Sequence, residues 1–255
     1  MSVRHAKQNK TDKGNNHIPT KIYLGLHGAL APGEGDGSPT SVGNMALDDL
    51  GEHLGCPVDD WPAATHPDPN DWDPYSSKPM PAQNLYRGFP GYVPSEAVKY
   101  LIGQIKAAKG PTSIRLFGWS TGAIMLCRIA ESLSNCPVIP AASRTVDLCF
   151  AVDPLWSGAA LGQFPKIPKN VARWLCLRQN RNGTVPPTHN PTEKAFWQGV
   201  RLDPEDTKKT RYDEINVATG VSVGNPGFAL PAMPDVTHGQ MPGVANPFMY
   251  TVLTS

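Results

Sequence analysis

Ser113 to Ser134, SIRLFGWSTGAIMLCRIAESLS, decides the reading of this chain. Ser113 to Phe117 is a short run with Ile114, Leu116 and Phe117 apolar, which predicts a buried strand. Gly118-Trp119-Ser120-Thr121-Gly122 follows, and Ala123 to Ser132 then reads as a helix. Leu126, Ile129 and Leu133 share one helix face with Ala123, Cys127 and Ala130 beside them, while Arg128 and Glu131 at i,i+3 spacing mark a face expected to be exposed. Asn135 and Pro137 end the helix.

A serine on a sharp turn from strand to helix has a chemical meaning. Its hydroxyl is a poor nucleophile unless it is exposed, held in one rotamer and placed next to a base. A G-x-S-x-G pentapeptide between strand and helix lifts the serine above the sheet edge, and small residues let the two elements approach. Gly118 and Gly122 meet that need and Ala123 continues it. The helix N-terminus aims backbone N–H groups at the same place, so the Thr121 N–H is a candidate oxyanion donor to Ser120 as nucleophile.

Outward from this stretch, the chain predicts further alternation of strands and helices. Lys21–Leu26 is a strand that runs into His27-Gly28-Ala29 and a glycine-rich loop. Gly33-Glu34-Gly35-Asp36-Gly37 within it is no phosphate loop, because its two carboxylates repel phosphate and no G-K-[ST] follows. His27, at a strand end, reads as structural. Ser41 caps a helix over Met45–Leu54, and Ser95 caps a second over 96–108 with Val98, Leu101, Ile102 and Ile105 as its buried stripe. Thr145–Val152 is the next strand and ends in Asp153-Pro154. A carboxylate there lies on the rim that carries the serine, which makes Asp153 a candidate acid. Val171–Leu177 is another strand, residues 178–191 form a turn-rich loop in which His189 reads as surface, and the charged run 192–214 is expected to be solvated. Ile215–Val223 reads as a late strand, His238 stands in a Gly/Pro-rich loop after it, and 245–255 forms a last strand or helix.

Residues 55–94 lose all periodicity but hold Trp61, Trp72, Tyr75, Tyr86, Phe89 and Tyr92, so they are expected to form an ordered, lid-like insert. Asp68, Asp71 and Asp73 match no calcium-loop spacing and read as a solvated acidic turn; no metal site is expected. Residues 1–19 are polar and unpatterned and read as a flexible arm, leaving 20–255 as a single α/β domain with a mostly parallel sheet flanked by helices.

The composition narrows the function. A net charge of +1 over 255 residues gives no electrostatic case for nucleic acid. No run approaches the ~18 apolar residues of a transmembrane helix. Five cysteines without a C-x-x-C pair, and no signal peptide, suggest a reducing compartment: cytoplasmic, or exported without a cleavable signal.

The order strand–HG, GWSTG, strand–DP and a late Thr237-His238 resembles the α/β-hydrolase superfamily over residues 21–240, with chain order Ser, Asp, His. FAVDPLW, FPKIPKNV and the late histidine look like lipase-like hydrolases whose acid follows the strand after the serine turn, and pieces of the pattern resemble phospholipase-type bacterial effectors. The resemblance implies Ser120 as nucleophile, Asp153 as acid and His238 as general base. Asp203 in VRLDPEDT is the rival acid, as in hydrolases whose acid follows a later strand. It also implies a second oxyanion donor at the Ala29 N–H, or that of Gly28, and a substrate pocket at Trp119, Leu30 and Trp156. The expected activity is hydrolysis of a small-molecule ester or lipid, with no cofactor. An acyltransferase or peptidase on the same triad, a lipid-directed effector, and a catalytically silent binding module are the alternatives.

Overall fold

The structure, a computed structural model, describes residues 19–28, 42–56, 58–59, 95–155, 165–181 and 199–255. They build one seven-stranded sheet. In chain order the elements are β1 (Thr20–Leu26), α1 (Val42–Leu54), β2 (Val58–Asp59), α2 (Ser95–Ala107), β3 (Thr112–Trp119), α3 (Thr121–Asn135), β4 (Val146–Val152), β5 (Arg173–Arg178), β6 (Arg211–Asn216), β7 (Val221–Val223) and α4 (Met241–Thr254). The strand order is β2-β1-β3-β4-β5-β6-β7. All neighbouring strands run parallel except β7, which is antiparallel to β6.

Parallel strands covered on both faces carry nearly continuous apolar runs, as β3 and β4 do here. Alternation then sorts each run into two cores. Leu24, Leu26, Ile114, Leu116, Cys149, Ala151, Trp174 and Cys176 face one way and pack with α2 and α3. Phe117, Trp119, Phe150, Val152, Leu175, Leu177 and Ile215 face the other way and pack with α1 and α4. In α4, Met241, Ala245, Met249 and Leu253 recur every four residues and are all buried, which makes the chain's last segment a helix. The result is an α/β architecture, a mostly parallel sheet between helices. Among the described residues no helix is long and apolar enough to cross a membrane.

Four expectations need correction. Arg128 and Glu131 pair at 3.2 Å and are half-buried, because α3 is enclosed almost all round rather than on one face. Val58 and Asp59, read as the start of the unpatterned insert, pair with Gly25 and Leu26 and form the edge strand β2. The charged run taken as solvated ends inside the sheet: β6 begins at Arg211, and Asp213 and Glu214 are both buried. Their charges are met across the strand pair. Arg173 and Arg211 hold Asp213 at 2.8 and 2.9 Å, while Arg178 holds one Glu214 oxygen at 2.8 Å and the Tyr212 hydroxyl donates to the other. Burial, with the Glu214 carboxylate beside it, pushes the Tyr212 phenol above its ordinary range. Finally, the single late strand expected over Ile215–Val223 is the end of β6, a tight turn in which Gly220 has φ 71°, and the antiparallel edge strand β7. Residues 1–18 and 60–94, with the arm and the body of the insert, lie outside the described residues, as do Asp68, Asp71, Asp73 and His189.

Candidate active site

Ser120 is the single residue between β3 and α3, with φ 56° and ψ −125°. Such a conformation costs an L-residue roughly 1–3 kcal/mol and persists only where the surroundings impose it. Here they do. Its N–H donates to the Val152 carbonyl at 3.0 Å and its carbonyl accepts from the Leu155 N–H at 3.2 Å, so both sides of the residue are tied to the end of β4. The turn closes tightly enough to require glycine on both sides. A Cβ on Gly118 would lie 2.9 Å from the Gly122 carbonyl carbon and oxygen, and one on Gly122 would lie 2.3 Å from the His27 carbonyl oxygen. Ser120 makes no side-chain cap to α3, so its hydroxyl is not consumed by the helix it precedes.

Asp153 is the first residue after β4, the strand next to β3, and it too has positive φ, 42°. Its N–H donates to the Leu177 carbonyl at 2.6 Å, which turns the side chain inward. Asp153 is 0% exposed, and among the described residues its carboxylate accepts from the Gln179 backbone N–H to Oδ1 at 2.9 Å, and to Oδ2 from the Gln179 side-chain amide at 3.1 Å and His238 Nδ1 at 2.7 Å. An ionised carboxylate offers only acceptors, so toward such a group the His238 ring donates from Nδ1.

His238 opens a short 3-10 turn, His238–Gln240, that leads into α4. The turn is fixed by a reciprocal cap: the Thr237 side chain takes the Gln240 N–H, and Gln240 Oε1 takes the Thr237 N–H at 2.9 Å. The imidazole is 2% exposed and lies over the Trp119 ring, centroids 5.0 Å apart and planes inclined by 32°. The floor beneath the histidine is therefore the residue preceding the serine. Ser120 and Asp153 thus follow the ends of two adjacent strands, and His238, from the turn before the last helix, is bonded to Asp153.

The backbone after β1 reaches the serine. A Cβ on Gly28 would fall 2.8 Å from Ser120 Cβ and 2.7 Å from the Trp119 ring, so Gly28 runs directly alongside the serine. Ala29, Leu30 and Trp156 lie outside the described residues. Trp119, read as pocket wall, is buried in the sheet's second core as well as against His238. The rival acid Asp203 is 75% exposed and stands 3.5 Å from Arg201; of the two acids, Asp153 is the one bonded to His238. His27 is buried and bonded through Nε2 to Asp48 of α1 at 2.8 Å, which moors the end of β1 to that helix. Among the described residues no three or more His, Cys, Asp or Glu side chains group as a metal site would require.

Three further residues shape the site and escaped the sequence reading. Gln179, just past the end of β5, provides two donors to Asp153, one from its backbone and one from its side chain. Arg181 donates to the Gln179 side-chain oxygen and to the Pro234 and Val236 carbonyls. Gly199 packs so closely on Asp153 that a Cβ there would lie 2.1 Å from Oδ1. The rim rule that singled out Asp153 applies equally to the end of β5, and it was the available signal for Gln179. No family model matches the chain, and no curated protein matches it.

Proposed function

We propose that the chain is a serine hydrolase of the α/β-hydrolase type acting on carboxylic esters. The observation that carries this reading is the buried Asp153–His238 pair, 2.7 Å apart, on the rim that holds Ser120 in its strained turn. In the proposed reaction Ser120 Oγ attacks the ester carbonyl carbon while His238 Nε2 accepts the hydroxyl proton. Asp153 keeps the proton of the neutral ring on Nδ1 and stabilises the imidazolium. The tetrahedral oxyanion is met by the Thr121 N–H at the start of α3 and by the backbone at Gly28–Ala29, one such donor being worth ~10²–10³ in rate. Collapse expels the alcohol, which takes the proton from His238. Water, activated by the same imidazole, then releases the acid and restores Ser120. The chemistry asks for no cofactor. The five cysteines, all free, fit a reducing compartment.

The test is hydrolysis of p-nitrophenyl esters of graded acyl length, with fluorophosphonate labelling, by wild type and Ser120→Ala. Turnover and label are expected in the wild type, with kcat down by at least ~10⁴ and no label in the variant. Transfer to an added alcohol in preference to water would move the assignment to acyltransferase. Folded wild type that neither turns over nor labels would refute the enzyme reading and favour a binding module.

A further inference from the structure

Acid and base of the candidate site arrive on different parts of the chain, 153 after β4 and 238 before α4, and a single hydrogen bond joins them directly. A second connection runs behind it. The Arg181 guanidinium spans three acceptors: its Nη1 donates to Gln179 Oε1, its Nε to the Pro234 carbonyl at 2.6 Å, and its Nη2 to the Val236 carbonyl. The first belongs to the residue that holds Asp153, and the other two belong to the segment that delivers His238.

The donor pattern gives the link a direction. Arginine carries only donors and an ionised carboxylate only acceptors, whereas a glutamine amide has one end of each kind. With Arg181 on one side and Asp153 on the other, Gln179 has one satisfied orientation: oxygen to the guanidinium, NH₂ to the carboxylate. The reverse orientation would set donor against donor and acceptor against acceptor. Arg181 therefore decides which face of Gln179 the acid meets, while the same planar fork fixes the backbone two and four residues ahead of the base. Burial presses the guanidinium below its ordinary range, and the charges of Asp153 and Asp235 offset this.

We propose that Arg181 is a positioning residue that sets Asp153, through Gln179, and His238, through the 234–236 backbone, in one frame. The catalytic meaning of that frame rests on the hydrolase reading; its geometry does not. Lysine cannot replace it, because one ammonium tip does not span three acceptors lying in different directions.

The experiment compares wild type, Arg181→Met, Arg181→Lys and Gln179→Met by two readouts. The first is the downfield proton NMR signal of the His238 Nδ1–H, assigned by its loss in His238→Gln. The second is kcat and KM on a short p-nitrophenyl ester. In Arg181→Met the signal is expected to broaden or vanish, with kcat down about 10- to 100-fold and KM within about twofold, as for a catalytic pair displaced by a fraction of an ångström to an ångström. Arg181→Lys should stay closer to Arg181→Met than to wild type. Gln179→Met removes one arm only and should fall between, which keeps the test decisive if Arg181→Met does not fold. A His238 signal unchanged in Arg181→Met, or wild-type behaviour of Arg181→Lys, overturns the proposal whatever the turnover. Loss of the signal in a protein that never turns over ester or labels at Ser120 would uphold the frame and remove the hydrolase reading.

Discussion

Gly199→Ala is a one-carbon change aimed at the acid. The new Cβ would sit 2.1 Å from Asp153 Oδ1, 3.1 Å from its Cγ and 2.9 Å from Arg178 Cβ. Ordinary contact begins at 3.4 Å, so carboxylate and backbone must separate by about 1.3 Å. The backbone has little freedom to yield. The Gly199 N–H is bonded to the Gln179 carbonyl at 3.1 Å, and the Val200 N–H to the Pro154 carbonyl at 2.7 Å. The carboxylate must therefore turn, and a turn that clears Oδ1 takes it from the Gln179 N–H while swinging Oδ2 away from His238. Overpacking of this kind costs about 1–3 kcal/mol of stability. Misplacing a catalytic group by about 1 Å costs on the order of 10² in rate. Gly199→Ala is thus expected to lower kcat/KM for p-nitrophenyl butyrate about a hundredfold while the protein stays folded by circular dichroism. Gly103→Ala on α2 is the control: nothing lies within 4 Å of its added Cβ, and alanine in a helix interior should stabilise by about 0.5–1 kcal/mol without touching activity. Full turnover by Gly199→Ala would mean that the placement of Asp153 does not matter to the reaction.

Two other expectations concern strain and thiol chemistry. Ser120→Gly should abolish turnover yet raise Tm by a few degrees in a thermal melt, since relief of about 1–3 kcal/mol of backbone strain outweighs the added freedom of glycine in the unfolded chain; Ser120→Ala, which keeps the Cβ, should not gain, and equal Tm values for the two would refute the strain argument. Burial pushes the Cys56 thiol up to about 12 from 9.0, so at pH 8 its thiolate fraction is about 10³-fold below that of an unperturbed thiol. The other four cysteines are buried. Iodoacetamide should therefore leave all five largely unmodified in the native protein and modify all five in denaturant, with mass spectrometry as the readout; rapid native alkylation of Cys127, Cys149 or Cys176 would contradict the packing.

Strands β1, β3 and β4 and helices α2 and α3 were legible in the sequence because each carries an apolar run or stripe that needs no knowledge of its neighbours. β6 was hidden because RYDEIN looks like solvated chain until Arg173, Arg178 and Tyr212 are set beside it, and those partners lie across the sheet or within a charged strand. α3 was misread as one-sided because a half-buried Arg128–Glu131 pair has the same spacing as an exposed one. Ser120, Asp153 and His238 could be named because residue type and chain order point to them. Gln179 was open to the same rim rule that picked out Asp153, but Arg181 and Gly199 could not be named, since a fork across two carbonyls and a missing Cβ leave no periodic mark in loops.

Backbone strain ties these levels together. Among the described residues only Ser120 and Asp153 have positive φ without being glycine. Each is the first residue past one of two adjacent parallel strands, and each is held by bonds from the next strand over: the Ser120 N–H to Val152 of β4, the Asp153 N–H to Leu177 of β5. A strand that simply ended would release its last residue into an ordinary turn. Here the sheet carries its hydrogen-bond pattern one residue beyond each strand and keeps both side chains on the rim in conformations the residues alone would avoid. Strain imposed twice, at the same level of the sheet, on a hydroxyl and on the carboxylate bonded to a buried imidazole, is hard to account for by packing, because glycine would relieve it at either position at no cost to the core. It is accounted for if the side chains themselves are needed there, as the proposed chemistry requires.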